Sequence, residues 1–324
     1  MRSVAEIKAP ISEEMSQFET HFKKAMKSKT PLLDKITHYI IKRKGKQMRP
    51  MFVFLSAKLC GGVTDASYTA ASLIELLHTA TLVHDDVVDD AHLRRGFFSI
   101  NALWKNKIAV LVGDFLLSRG LLMSVEKKQF RLLELVSEAV QEMSEGELLQ
   151  MEKARKLNIT EEVYFEIIRR KTASLIAACC ASGASSAGVS EEIIQKMKDF
   201  GTYVGIAFQI KDDLFDYGSG ENIGKPTGID IKERKMTLPL IYALQKASSS
   251  QKSKMLRIIR KHNENPRKVQ EVIDYVLSTD GIQYAHSQMM DYRQKALDVL
   301  NTFEDSDAKK SLAGLVEYTI NRTK

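Results

Sequence analysis

Glu75-Leu-Leu-His-Thr-Ala-Thr-Leu-Val-His-Asp-Asp-Val-Val-Asp-Asp-Ala-His-Leu-Arg-Arg-Gly96 opens as an apolar helix and closes in a block of acid followed by two arginines. Asp85, Asp86 and Asp89 form a D-D-x-x-D cluster. Positions i and i+4 share a helix face one turn apart, so Asp85 and Asp89 stack, with Asp86 at the same edge. Like charges at that spacing oppose a helix. A hard divalent cation with oxygen ligands would offset the repulsion. His78 precedes Asp85 by two turns on the same face and points into the same cleft.

The spacing recurs. Asp212, Asp213 and Asp216 follow another apolar run, Tyr203-Val-Gly-Ile-Ala-Phe-Gln-Ile210. One such cluster is equally well a solvated acidic helix end. Two, each ending an apolar helix, would converge across a cleft if the helices face each other. Mg²⁺ keeps some water and prefers a few carboxylates together with substrate phosphates. The pair therefore reads as a clamp for a diphosphate held through magnesium.

Outward from these clusters, the chain reads as helix after helix. Apolar positions recur at helical spacing over 11–29, and a second helix follows Pro31. Residues 48–60, 66–91, 106–125, 128–154, 160–181 and 190–217 also show helical periodicity, and helices resume after Leu238. Only six prolines and 17 glycines interrupt 324 residues. No period-2 alternation or Asn-Gly hairpin signals a strand, and no composition shift marks a linker. The expectation is all-α, one helical domain over residues 1–324.

Two irregular stretches stand out. Lys42-Arg-Lys-Gly-Lys-Gln-Met-Arg-Pro50 is either a solvated loop or an anion site, with Gly45 admitting close approach and Lys46 and Arg49 donating. Gly218 to Thr237, rich in glycine and lysine, is either a disordered surface loop or a lid beside Asp216.

Composition narrows the class. Cys60, Cys179 and Cys180 cannot all pair, and adjacent cysteines rarely bridge, so all three read as buried thiols of a reducing compartment. The net charge of +7 reads as dispersed lysine-rich helix faces, which argues against a nucleic-acid partner. The N-terminus lacks the apolar core of a signal peptide. The longest weakly polar run, Leu175 to Val189, is too short to span a bilayer, so no stable membrane insertion is expected and the location reads as cytoplasmic.

Taken in order, Gly45-Lys46-x-x-Arg49-Pro50, the two acid clusters, Arg94-Arg95-Gly96, Lys171-Thr172, Phe208-Gln209 and Gly224-Lys225-Pro226 with Lys235 resemble the trans-isoprenyl (polyprenyl) diphosphate synthases, in particular medium- and long-chain members. The likeness covers nearly the whole chain. It implies a bundle of ten or more helices around a deep central cavity, usually a homodimer, with a heterodimer as the alternative. It implies head-to-tail condensation of isopentenyl diphosphate onto an allylic diphosphate, farnesyl or geranyl, with three Mg²⁺ ions. Asp85 and Asp89 would bind two ions with Asp86 in support. Asp212, assisted by Asp216, would bind the third. Arg94, Lys171, Lys225 and Lys235 would hold the allylic diphosphate, with Thr172 and Gln209 beside its cationic carbon. Lys46, Arg49, His78 and Arg95 would grip isopentenyl diphosphate. Lys171, Thr172 and Gln209 form the catalytic group.

The same likeness places the floor of the product cavity one turn before Asp85, at Ala80 and Thr81, where short-chain relatives carry bulky aromatics. An isoprene unit spans about one helical turn, ~5 Å. Small residues there, with Leu77 as the next barrier, predict a product of six to ten isoprene units. Gln47, where arginine is common, and Phe97-Phe98, where proline is frequent at the second position, depart from the pattern without removing a diphosphate ligand. Three rivals are weaker. A cyclase or squalene-synthase-like enzyme on the same fold has no need of Lys46, Arg49 and His78. A di-iron bundle needs a second Glu-x-x-His beside Glu75-Leu-Leu-His78. A non-catalytic partner subunit would not keep both acid clusters intact.

Overall fold

The computed structural model describes residues 3–43, 45–94, 96–218 and 227–322. A short helix α1 (Val4–Lys8) leads through a 3₁₀ turn (Ala9–Ile11) into α2 (Ser12–Met26), α3 (Pro31–Lys42), α4 (Met48–Leu59) and α5 (Asp65–Val88). A two-residue ribbon follows, β1 (Leu93–Arg94) against β2 (Phe97–Phe98). Next come α6 (Ile100–Trp104), α7 (Asn106–Glu126), α8 (Phe130–Lys156) and α9 (Glu161–Ile168). A π-helical turn, Arg169–Ala173, joins α9 to α10 (Ser174–Ser186). The chain closes with α11 (Glu191–Phe215), α12 (Ile229–Lys232), α13 (Leu238–Lys246), α14 (Ser249–Lys261), α15 (Pro266–Leu277), α16 (Gly281–Asn301) and α17 (Asp307–Asn321).

The architecture is all-α, as the periodicity predicts. The starts are set by local chemistry. Pro31 and Pro266 occupy first-turn positions where a missing N–H costs nothing. The hydroxyl of Thr160 accepts from Val163 N, and Ser248 forms a capping box with Gln251.

The core is organised around α10, whose alanines, serines and cysteines are buried along nearly its whole length. It packs against α4, α5, α8 and α11. Small residues make this possible. A Cβ added at Gly183 would sit 2.3 Å from Val53 O, and one at Gly205 2.4 Å from Ala173 Cα. Phe18, Phe54 and Phe200 fill the wider spaces and are fully buried. Each contributes on the order of 2–3 kcal/mol by leaving water.

Four expectations change. The β1–β2 ribbon is a strand pair that no alternation could signal, since each strand is two residues long. The predicted helix 160–181 is broken by the π turn. The predicted helix 66–91 stops at Val88, so Asp89 caps α5 instead of continuing it. One helix, α7, is long and apolar enough to cross a membrane by length and composition, yet it packs in the bundle against α5 and α6. The expected lid lies partly outside the described residues. Its far end forms α12, tied back by Asp216.

Candidate active site

Both acid clusters sit at helix C-termini. Asp85 and Asp86 lie in the last turn of α5 and Asp89 caps it. Asp212 and Asp213 lie in the last turn of α11 and Asp216 caps it. The helix dipole disfavours anions at that end, and neither helix has a basic residue in its last turn. The cost is accepted twice, at two places that have carboxylates to offer.

Members of each cluster differ in environment. Asp85 and Asp89 are exposed. Asp85 nevertheless has its pKa raised, first by the protein around it displacing water, then by the charges of Glu147 and Asp89. Lys171 and Arg94 oppose the rise. Asp86 is 3 % exposed and accepts from Arg94 Nε at 2.7 Å, while its carbonyl accepts from Asn101. It anchors the ribbon and holds Arg94 at the site. Asp216 is buried and accepts from the backbone N–H groups of Ile229 (2.8 Å) and Asp230 (3.1 Å). It caps α12, and burial raises its pKa against those bonds. Asp212 pairs with Arg322, whose guanidinium lies 4.1 Å from the Phe208 ring centroid.

Between the clusters runs a hydrogen-bond chain. Tyr164 OH donates to Asp213 Oδ2 (2.7 Å), Gln209 Nε2 donates to Asp213 Oδ1 (2.8 Å), and Thr172 Oγ1 donates to Gln209 Oε1 (2.7 Å). Burial, helped by the charge of Asp230, pushes the Asp213 carboxyl up, and burial together with Asp216 pushes Asp230 up. The π turn presents Lys171 and Thr172, and such turns recur at functional sites. It is wedged between two glycines. A Cβ on Gly146 of α8 would lie 2.8 Å from Arg170 Cβ and 2.9 Å from Lys171 N. A Cβ on Gly205 of α11 would strike Ala173 from the other side. Lys171 pairs with Glu147 and donates to Gln150 Oε1 at 2.7 Å. Lys235 pairs with Glu233. Burial works against its charge, but that pair and the charges of Asp230 and Glu147 keep its pKa raised.

Two cavities meet here. One of about 570 Å³ is lined by Lys46, Arg49, His78, Asp86, Arg94 and Thr172, among others. A narrow one of about 90 Å³ is lined by Tyr164, Lys171, Thr172, Gln209, Asp213, Asp230 and Lys235, among others. Thr172 lines both. Lys46 reaches the hydroxyl of Tyr318 on α17. Leu77 and Ala80 are buried and Thr81 half-buried. None of the three lines either cavity, whose α5 wall is Glu75, His78, Thr79, Leu82, Val83 and Asp86. Arg95 and Lys225 lie outside the described residues.

Sequence reasoning missed Glu147, Gln150, Tyr164, Asp230, Tyr318 and Arg322. Only Gly146 and Gly205, isolated inside helical patterns, hinted at the close packing behind the π turn. Among the described residues, no three His, Cys, Asp or Glu side chains converge into a protein-only metal centre. The donor set still suits Mg²⁺, whose sites combine one or two carboxylates with water and substrate phosphate. Asp85 and Asp89 are accessible hard oxygens with no ion pair of their own among the described residues, and Asp212 faces a cationic side chain.

The family model described as Polyprenyl synthetase matches residues 30–276. The chain is similar to the octaprenyl diphosphate synthase of Escherichia coli (strain K12), 35% identical over 298 residues that cover 92% of each chain. It is similar to the heptaprenyl diphosphate synthase component 2 of Bacillus subtilis (strain 168), 33% identical over 95% of this chain and 88% of the relative. The crystal structure of a decaprenyl diphosphate synthase from Rhodobacter capsulatus superposes with a TM-score of 0.93 at 32% identity, covering 99% of this chain and 100% of the other. The chain belongs to the polyprenyl synthetase family and is a prenyltransferase.

Proposed function

We propose that the chain condenses isopentenyl diphosphate head-to-tail onto an allylic diphosphate to build an all-trans polyprenyl diphosphate of six to ten isoprene units. The observation that carries this is a pair of cavities that share Thr172 in their walls, with Lys46, Arg49, His78 and Arg94 lining the larger and Lys171 and Lys235 the smaller, so that cations for two diphosphates gather around one polar junction. Lys46, Arg49 and His78 hold isopentenyl diphosphate, and Arg94, Lys171 and Lys235 hold the allylic diphosphate. Asp85, Asp89 and Asp212 hold three Mg²⁺ ions, with Asp86 and Asp216 as structural support. Bound Mg²⁺ neutralises the charge that develops on the departing pyrophosphate. Thr172 and Gln209 turn their oxygens toward the allylic cation, and the Tyr164–Asp213 pair fixes the Gln209 amide in that orientation. The attacking double bond forms the new C–C bond, and the proton lost afterwards leaves with pyrophosphate, since no side chain here is placed as its base.

The names of relatives that make seven, eight and ten units support the longer product, whereas Ala80 and Thr81 line neither cavity. An apolar stripe on α7, with Leu111 59 %, Leu122 47 % and Val125 49 % exposed, supports association through that face. We favour a homodimer. A relative named as a component supports the heterodimer as the alternative. A cytoplasmic location fits buried thiols.

The test is to incubate the purified chain with labelled isopentenyl diphosphate, farnesyl diphosphate and Mg²⁺, then resolve the dephosphorylated products by length. Products of thirty carbons or more, lost with EDTA and in D85A and D212A, support the proposal. Products of fifteen or twenty carbons keep the reaction and refute the length. Full turnover by both variants refutes the site. No incorporation by the chain alone points to a required partner.

A further inference from the structure

The basic excess is not dispersed along the chain. Between Lys23 and Arg49 there are ten lysines and arginines and one acid, Asp34. That segment carries +9 against +7 for the whole chain, leaving −2 for everything else. Lys46 and Arg49 belong to the substrate chamber. Lys23, Lys24, Lys27, Lys29, Lys35 and Lys42 lie on α2, α3 and the turn between them, Arg43 caps α3, and Lys44 lies outside the described residues. Lys23, Lys27, Lys35 and Lys42 are all exposed, and no ion pair among the described residues reaches them. The single acid is already engaged, since Asp34 Oδ1 accepts from Ser28 N. A groove of about 490 Å³ runs between the two helices, with Lys23, Lys27, His38 and Lys42 on its rim and Met26 and Ile41 in its floor.

This face adjoins exposed apolar side chains. Phe97 and Phe98 of the ribbon are 48 % and 60 % exposed. They are fastened to α3, with Tyr39 OH donating to Phe98 O at 2.6 Å and Arg43 lying 4.7 Å from the Phe97 ring centroid. Tyr39, Arg43, Phe97 and Phe98 also line the large substrate cavity, and Ile41 lines both it and the basic groove, so the aromatic edge joins the two.

We propose that the α2–α3 face docks on an anionic bilayer, its lysines on lipid headgroups and the Phe97–Phe98 ribbon in the interface. Unpaired cations beside exposed aromatics match a negatively charged, partly apolar surface. A nucleic acid would meet the same lysines. The choice of a bilayer rests on the proposed activity, whose product is a long hydrocarbon that water does not carry. Docking brings the ribbon that lines the chamber to the phase that accepts that product.

The test uses the full chain without substrate, floated with vesicles of phosphatidylcholine alone or with about one third phosphatidylglycerol. Binding only to the anionic vesicles, lost at about 0.5 M salt, is expected. The K23E/K27E/K42E variant should lower the partition coefficient at least about a hundredfold, at roughly fivefold or more per lysine replaced. Its initial rate of condensation on a soluble primer should not change. Equal binding to neutral vesicles, unaltered binding by the variant, displacement by millimolar inorganic phosphate, or tighter binding to a DNA duplex than to vesicles would each overturn the proposal. Condensation is measured separately in detergent-free solution, so failure of docking and failure of the proposed reaction are read independently.

Discussion

Gly205→Ala tests whether the π turn is held in register by close backbone packing. The added Cβ would lie 2.4 Å from Ala173 Cα and 2.6 Å from its Cβ. Ordinary carbon contacts are about 3.5–4.0 Å, so α11 and the turn must separate locally by about 1 Å. Neither neighbour is a flexible side-chain end, and overpacking of this kind costs about 1–3 kcal/mol. At about 2.1 cal/mol/K per residue of unfolding entropy over 324 residues, that lowers Tm by roughly 1.5–4.5 °C. The larger effect is on catalysis. Gln209 lies one turn beyond Gly205, and Thr172 immediately precedes Ala173, so the separation falls on the 2.7 Å Thr172–Gln209 bond. A misplacement of about 1 Å costs around 10²-fold in rate. The assay is kcat and KM for isopentenyl diphosphate condensation alongside a thermal melt. Gly201→Ala is the control. Its Cβ would meet Ala177 Cα at 2.6 Å on the same interface, one turn farther from the site. It should match the Tm loss with a much smaller fall in kcat. A kcat within threefold of wild type for Gly205→Ala, or equal losses in both variants, would refute the positioning argument.

Other outcomes follow from the same geometry. Tyr164→Phe removes the 2.7 Å donor to Asp213 and leaves a buried carboxylate short of a partner, at about 1–3 kcal/mol; kcat should fall about tenfold with KM for isopentenyl diphosphate unchanged, as steady-state kinetics would show. Charge on the α7 stripe, as in L111E/L122E, should convert an associated species to monomer in size-exclusion chromatography with light scattering, and an unchanged mass would exclude that face as the interface. Burial pushes the Cys179 thiol up to about 12 and Cys60 to about 11, and it raises Cys180 as well. A thiol reagent at pH 8 should therefore react slowly or not at all with native protein and count three thiols after unfolding; fast native labelling of two or more would contradict that burial.

Most helices could be read in the sequence because long amphipathic segments with few breakers leave little choice. The expected 106–125 and 190–217 differ from α7 and α11 by a residue or two at the ends. The site was legible only where chemistry is carried by local spacing. D-D-x-x-D places acids at a helix end whatever surrounds them. It cannot say that Asp86 and Asp216 turn inward to structural partners, because those partners are Arg94 across the ribbon and the backbone of α12. Nor can it bring Arg322 to Asp212 from 110 positions away, or Tyr164 to Asp213 from 49. Such contacts depend on how α9, α11 and α17 pack, which periodicity leaves open.

The apparent redundancy of the two acid clusters is resolved by this division. In each D-D-x-x-D, one carboxylate is buried and committed to holding structure, while Asp85 and Asp212 stay more open to solvent. Asp86 fixes Arg94, and Asp216 fixes α12, which carries Asp230 and leads to Lys235. Under the proposed function, each cluster would therefore bring a Mg²⁺-binding carboxylate and a diphosphate-binding base to the same place through one short segment. The middle acid of the second cluster has a further task, since Asp213 reaches neither solvent nor a base but orients Gln209. The physical consequence is an ordering of mutational effects. Loss of Asp85, which has no ion pair among the described residues, should strike Mg²⁺-dependent turnover and spare the fold, whereas loss of Asp212 also takes the ion-pair partner from Arg322. Loss of Asp86 or Asp216 should strike both, because a buried carboxylate that ties down the ribbon or α12 is removed and its N–H or guanidinium partner loses that bond. Thermal melts of the four alanine variants decide it: equal Tm values across the set would show that the clusters are not divided this way.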